Sequence, residues 1–222
     1  MGGILLFVSG VSRAEFKVYN VNYELNSEVY RSEKELSNVD ISAKQTLLGD
    51  VISDAIRTAS KTEMAFIQAS AFSDSSITLS RMGFGLADIL KTLEYKGSTI
   101  AVIKISGEQI RTAMENSLSQ YPGKNGAFLQ TAGLVISFDP SAPAGKRITS
   151  IKLNGAALDN SKTYRIAMSL PLANGASGYF KYWKKTDIEK ETAVTLEKAL
   201  SDYLNEHKTI VKGEDRLVAK SK

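Results

Sequence analysis

The chain has 222 residues, 43% of them hydrophobic and 23% charged, and carries a net charge of +4. That size and balance suit a globular core that needs no disulfide or structural metal, and the basic residues lie scattered among acids rather than in a nucleic-acid-binding stripe. There are no cysteines, which excludes thiol catalysis, zinc–thiolate sites, iron–sulfur clusters and disulfides together, and only one histidine, His207.

At the start, residues 4–8 form an apolar run, and the small residues Ser12 and Ala14 precede Glu15. This pattern reads as the tail of a signal peptide, so residues 1–14 are expected to be a targeting remnant and 15–222 a single domain. The expected location is periplasmic or secreted, in a bacterium. No other stretch approaches the roughly 18 apolar residues of a membrane span.

Residues 16–30 alternate as an opening strand, and 31–44 read as a polar stretch too charged to pack. Thr46 then caps a helix whose apolar face is Leu47, Leu48, Val51, Ile52, Ala55 and Ile56. A short buried strand over 64–67 and a brief helix over 86–90 follow. Residues 98–105 are β-branched and strand-like, and Ser106 with Gln109 forms a capping box that opens a second long helix. Its core face is Ile110, Ala113, Met114 and Leu118, and Tyr121-Pro122-Gly123 breaks it. In the second half, 133–138, 147–153 and 163–170 read as strands, with Asn154-Gly155 as a tight turn. A final helix is expected over 190–206. Two long helices, a shorter one and a strand-rich second half predict an α+β, or mixed α/β, architecture.

Several segments resemble the C-terminal domain of the 5'-nucleotidase family. The central one runs from Phe128-Leu129-Gln130-Thr131-Ala132-Gly133-Leu134 through Phe138-Asp139-Pro140 to Gly145-Lys146-Arg147-Ile148. It continues in Leu153-Asn154-Gly155 and Lys162-Thr163-Tyr164-Arg165-Ile166-Ala167. Upstream, Thr46-Leu47-Leu48-Gly49-Asp50 is similar to the helix that opens this domain, and Ser106-Gly107-Glu108-Gln109 to its strand-to-helix step. The likeness spans roughly 21–218 in family order.

The resemblance implies the fold of that domain and a link to nucleotide catabolism. In the family the domain supplies a pocket for a nucleotide or nucleoside, while a separate N-terminal metallophosphatase domain binds two divalent metals and activates water. The expectation is therefore a free-standing recognition domain with no catalytic or metal-ligating residues and no cofactor of its own. Metals would come only through a partner metallophosphatase. The alternative is a non-enzymatic exported binding or interaction module on the same fold. His207, at the end of an amphipathic helix, reads as a solvated helix-terminal residue. No Gly-x-Ser-x-Gly elbow, Ser-x-x-Lys or Walker motif is present.

By family position, the first base-stacking aromatic falls near Tyr95 and the second near Pro171, whose ring has no π-face. The glycine loop that ends in arginine reads Gln68-Ala69-Ser70-Ala71-Phe72-Ser73 here, so Ser73 stands at the arginine's place. The Gly-Gly-Asp-Gly-Tyr motif reads Gly175-Ala176-Ser177-Gly178-Tyr179, with Ser177 in place of the acid. The resemblance thus makes Gln68, Ser73, Tyr95, Pro171 and Ser177 the candidate substrate-binding residues. Positive charge is lost where an anion would sit.

Overall fold

The computed structural model describes residues 28–213 and 215–220. The proposed targeting remnant, and most of the opening strand expected over 16–30, lie outside them. The elements in chain order are β1 (Arg31–Ser32), β2 (Leu36–Ser37), α1 (Leu47–Ser60), β3 (Met64–Gln68), β4 (Thr78–Leu79) and α2 (Leu86–Leu90). Then come β5 (Thr99–Ser106), α3 (Gly107–Ser117), β6 (Leu129–Ala132), β7 (Leu134–Phe138), β8 (Ile148–Leu153) and β9 (Ala156–Ala157). The chain continues with β10 (Thr163–Ser169), α4 (Leu170–Ala173), β11 (Ile188–Thr195), α5 (Leu196–Glu206), β12 (Thr209–Ile210) and β13 (Leu217–Ala219).

A mixed five-stranded sheet, in the order β11-β5-β10-β3-β6, forms the middle layer. Period-two alternation divides its side chains between two cores. Ala65, Ile67, Ile100 and Ala167 face one side, where Leu48 and Ile52 of α1 and Leu200 and Leu204 of α5 cover them. Met64, Phe66, Ile103, Ile166 and Met168 face the other, against Ile110 and Met114 of α3 and Ile136 and Ile151 of a second sheet. That second sheet has the order β13-β7-β8-β9.

Gly133 carries the chain from β6 in one sheet to β7 in the other. Its φ is +82°, and a Cβ there would stand on the carbonyl oxygen of Glu63, so both the conformation and the close approach require glycine. The expected caps are in place. The Thr46 hydroxyl accepts the Gly49 N–H at 3.1 Å, and Ser106 and Gln109 make the reciprocal box. Asn154 and Gly155, at φ 51° and 80°, form the turn between β8 and β9.

Two expectations are corrected. The segment 31–44 does pack: it contributes β1 and β2, and buries Leu36, Asn38 and Ile41 among its charged neighbours. The final helix starts at Leu196 rather than at 190, because residues 188–195 pair antiparallel with β5 as an outer strand. Thr192, Val194 and Thr195 favour that extended form, the Thr192 hydroxyl bonds the Ile100 carbonyl at 2.8 Å, and Thr195 caps α5 through the Lys198 N–H at 3.1 Å. Ala193, expected on the helix face, lies exposed on β11.

Within the central sheet only β10 and β3 are neighbours in parallel. Their carboxyl ends, Ser169 and Gln68, therefore meet the same edge, and the chain leaves both strands into loops on that side. Crevices outside the carboxyl ends of strands are the usual ligand sites of open α/β sheets.

Candidate functional site

The loop after β3 is held by backbone bonds on two sides. Ala69 and Ser70 donate their N–H groups to the carbonyls of Phe128 and Gly126 at 2.8 and 3.0 Å. On the other side Ser73 N–H reaches Thr92 O, and Glu94 N–H reaches Ala71 O, both at 2.9 Å. Asn38 is the post around which the loop continues. Its Nδ2 donates to the carbonyls of Ser73 (2.9 Å) and Ser75 (2.8 Å), and its Oδ1 accepts the Ile77 N–H at 2.8 Å. An amide carries two donors and an acceptor, so this buried side chain spends its main bonding capacity on holding the loop.

These ties leave a crevice of about 300 Å³. One wall comes from residues 38–42, the other from the loop over 69–76, and Lys124 and Gly126 close the end. Five serines line it: Ser42, Ser70, Ser73, Ser75 and Ser76. Its charged groups are Asp40, Asp74 and Lys124. Asp40 is paired with Lys44 at 3.0 Å.

The loop after β10 closes over the same edge. Pro171 occupies the first turn of α4, where its fixed φ suits a helix start and its missing N–H costs nothing. Ser177 follows in the left-handed region at φ 56°, and its Oγ lies 2.7 Å from Ser70 Oγ, so a hydroxyl pair bridges the two loops. Tyr179 anchors the segment. It is fully buried, its hydroxyl donates to Ala127 O at 2.5 Å, and its ring stacks on Trp183 with centroids 4.7 Å apart. Burial pushes that hydroxyl's pKa well above the tyrosine range, so it remains a donor.

The structure brings three of the five candidate residues to this edge. Ser73 lines the crevice, Gln68 lies buried at the end of β3, and Ser177 reaches the loop over 69–76 through Ser70. Gln68 Oε1 has no hydrogen-bond partner among the described residues. Tyr95 is 60% exposed one residue beyond the Ala71–Glu94 bond, and it does not line the crevice. Pro171 is exposed on α4 and does not line it either. The sequence reading misses the opposite wall, Asn38 to Ser42, and Lys124. Only the polar composition of that wall is visible in the sequence, where it reads as unpacked chain.

A second cleft, of about 670 Å³, lies on the other side of Val39 and Asp40, which border both. Its floor includes Asp50, whose two carboxylate oxygens accept from Gln45 Nε2 at 3.0 and 2.8 Å. Burial raises the Asp50 pKa to about 6, against the lowering effect of Arg216 and Gln45.

His207 caps the end of α5, exposed and stacked on Tyr203 with ring centroids 4.3 Å apart. Among the described residues no group of three or more His, Asp or Glu side chains is placed to hold a metal ion. Among the same residues no helix is long and apolar enough to cross a membrane.

Comparison with known proteins defines the class. Residues 26–184 match the family model described as 5'-nucleotidase, C-terminal domain. The chain belongs to that family. Among curated proteins it is 29% identical over 146 residues to the trifunctional nucleotide phosphoesterase YfkN of Bacillus subtilis, covering 63% of this chain and 10% of that protein. It is 29% identical over 123 residues to the 5'-nucleotidase of Diplobatis ommata, covering 51% of this chain and 21% of the other. The crystal structure of a 5'-nucleotidase precursor from Thermus thermophilus superposes with a TM-score of 0.77 at 24% identity, over 89% of this chain and 40% of that one. The NAD nucleotidase of Haemophilus influenzae superposes at 0.63, with 18% identity, over 79% of this chain and 33% of that one. This chain therefore spans well under half the length of each of these relatives, and the structural likenesses speak for the fold.

Proposed function

We propose that the chain is a recognition module of nucleotide breakdown. It holds a ligand in the crevice at the carboxyl ends of β3 and β10, and leaves hydrolysis to a metallophosphatase carried on another polypeptide. The carrying observation is the crevice formed between residues 38–42 and the loop after β3, which the loop after β10 touches through the Ser70–Ser177 contact. The test is phosphate release from nucleotides with added manganese. The chain alone gives none, whereas a stoichiometric mixture with a metallophosphatase that lacks its own recognition domain gains rate over that enzyme alone. A mixture with neither complex nor rate gain refutes the proposal.

A second reading is a non-enzymatic ligand-binding module on the same fold. Ser73 and Ser177 favour it, because hydroxyls stand where the resemblance places an arginine and an acid; Ser73 lines the crevice and Ser177 touches Ser70 on its wall. A ligand screen by thermal shift separates the two, since this reading requires a stabilising ligand and no effect on any phosphatase. Export, read from residues 1–14, belongs to either reading, and fractionation of the producing cell tests it.

A further inference from the structure

The segment over 215–220 is tied to the rest of the molecule at a few points, and several of them run through one polar cluster at the start of α1. Leu217–Ala219 adds a parallel edge to β7, with the Ile136 N–H reaching Arg216 O and the Lys220 N–H reaching Phe138 O, both at 2.8 Å. A pairing that short holds little by itself, so side-chain ties decide whether the segment stays closed. Gln45 Oε1 accepts the Arg216 and Leu217 N–H groups at 2.6 and 3.0 Å, and the same amide turns its Nε2 to both carboxylate oxygens of Asp50. The Arg216 side chain runs inward to Asp54, Ser53 and Thr131 O.

The two carboxylates on α1 do not share the cations equally. Arg216 donates directly to Asp54, and Arg57 lies 3.4 Å from it. Asp50, only 6% exposed, has the Arg216 guanidinium no nearer than 3.5 Å. The other charged groups lining this cleft leave it no closer partner. Lys44 is engaged by Asp40 at 3.0 Å, and Lys212, which also favours the ionised form, by Asp215 at 2.8 Å; Lys34 and Glu35 are exposed. A buried carboxylate without a close cation takes up a proton readily, and burial is the main cause that raises the Asp50 pKa to about 6.

We infer that residues 215–220 form a proton-sensitive strap along the larger cleft, latched while Asp50 carries a proton and loosened when Asp50 ionises. Asp215 and Leu217 line that cleft, so opening the strap widens it and bares the edge of β7. Burial sets the direction. Closing the strap takes Asp50 out of water, which outweighs the attraction of Arg216, so the closed form binds the proton more tightly than the open one. Acid favours closure, and opening increases as pH rises through about 6. The device does not depend on what the crevice binds.

Amide hydrogen exchange of the full chain, read residue by residue by NMR and corrected for the intrinsic pH dependence of exchange, tests it. The N–H groups of Ile136, Arg216, Leu217 and Lys220 exchange faster than those of β10 in the central sheet. Their opening constant rises about tenfold between about pH 5 and about pH 7. Asp50→Asn holds that constant flat, whereas Glu35→Gln, at an exposed carboxylate of the same cleft, leaves the tenfold change in place. The unaltered chain carries the test by itself should Asp50→Asn fail to fold. Strap amides that exchange no faster than those of β10 overturn the inference, since the segment then parts only with the whole fold. So does an opening constant that is flat or falls as pH rises, a rise that survives Asp50→Asn, or one that Glu35→Gln abolishes.

Discussion

Val39 and Asp40 form a ridge between two clefts, and polar side chains near them are used in two ways. Around α1 a set of largely buried polar groups, among which Asp50 borders the larger cleft, is bonded together. Arg216, from the C-terminal segment, donates to the Asp54 carboxylate, to Thr131 O at 2.7 Å and to Ser53 Oγ at 3.2 Å. Gln130, 1% exposed, donates to the carbonyls of Ile41 and Lys44 at 2.8 Å each and accepts the Thr46 N–H at 3.1 Å. Gly49 faces it: a Cβ there would overlap the Gln130 amide, so glycine at that turn of α1 admits the side chain. On the crevice side the serines face solvent, and several have no protein partner among the described residues. Buried polar groups are costly unless bonded, so the first cluster specifies the fold, while the second is available to a ligand.

That contrast predicts an ordered series of effects. The largest belongs to Arg216→Ala, which takes the guanidinium away from Asp50 and Asp54, leaving them only Gln45 and Arg57, and costs about 3 kcal/mol in urea unfolding. A loss under about 1 kcal/mol would show that the network does not hold the C-terminal segment. Next comes Gln130→Ala, which takes their side-chain partner from three backbone groups, Ile41 O, Lys44 O and Thr46 N, and costs about 2–3 kcal/mol by the same measurement.

The third effect depends on pH. The folded pKa of Asp50 is raised from 3.8 to about 6, so the folded state binds the proton more tightly than the unfolded chain. Its stabilising contribution is fully present below the unfolded value and is lost as pH rises through about 6. Asp50→Asn removes this dependence. The stability difference, wild type minus variant, should grow by roughly 2 kcal/mol as pH falls from about 7 to about 4. A flat difference would place Asp50 in a solvated setting and blur the contrast between the clefts.

The smallest effect sits in the crevice. Ser177→Gly removes the Ser70 contact but relieves a left-handed residue, and should change stability by less than about 0.5 kcal/mol. If it instead costs about 2 kcal/mol, the Ser70–Ser177 pair holds the fold and the crevice is not free to serve a ligand.

Much of the molecule is legible from local pattern. The caps at Thr46 and Ser106, the apolar faces of α1 and α3, and the Asn154-Gly155 turn depend on neighbours within a few residues, so sequence spacing reveals them. The region over 31–44 misleads because its burial depends on distant partners: Asn38 packs only because the carbonyls of Ser73 and Ser75 come to it from the other end of the loop. Residues 190–195 read as helix for a related reason, since their strand form is fixed by the edge of β5. For the candidate site, likeness to the family points to the two loops, and nothing in the sequence points to their meeting.

By itself, then, the sequence determined the mixed α/β class, the starts of α1, α2 and α3 and the family, and it showed that one imidazole and no thiol are available for chemistry. Tertiary structure alone decided which polar residues are spent on the fold and which remain available. That depends on which distant carbonyls and amides converge on each side chain, and in this chain the parallel pairing of β3 with β10 sets the convergence by bringing residues more than a hundred positions apart to one edge, as with Ser70 and Ser177.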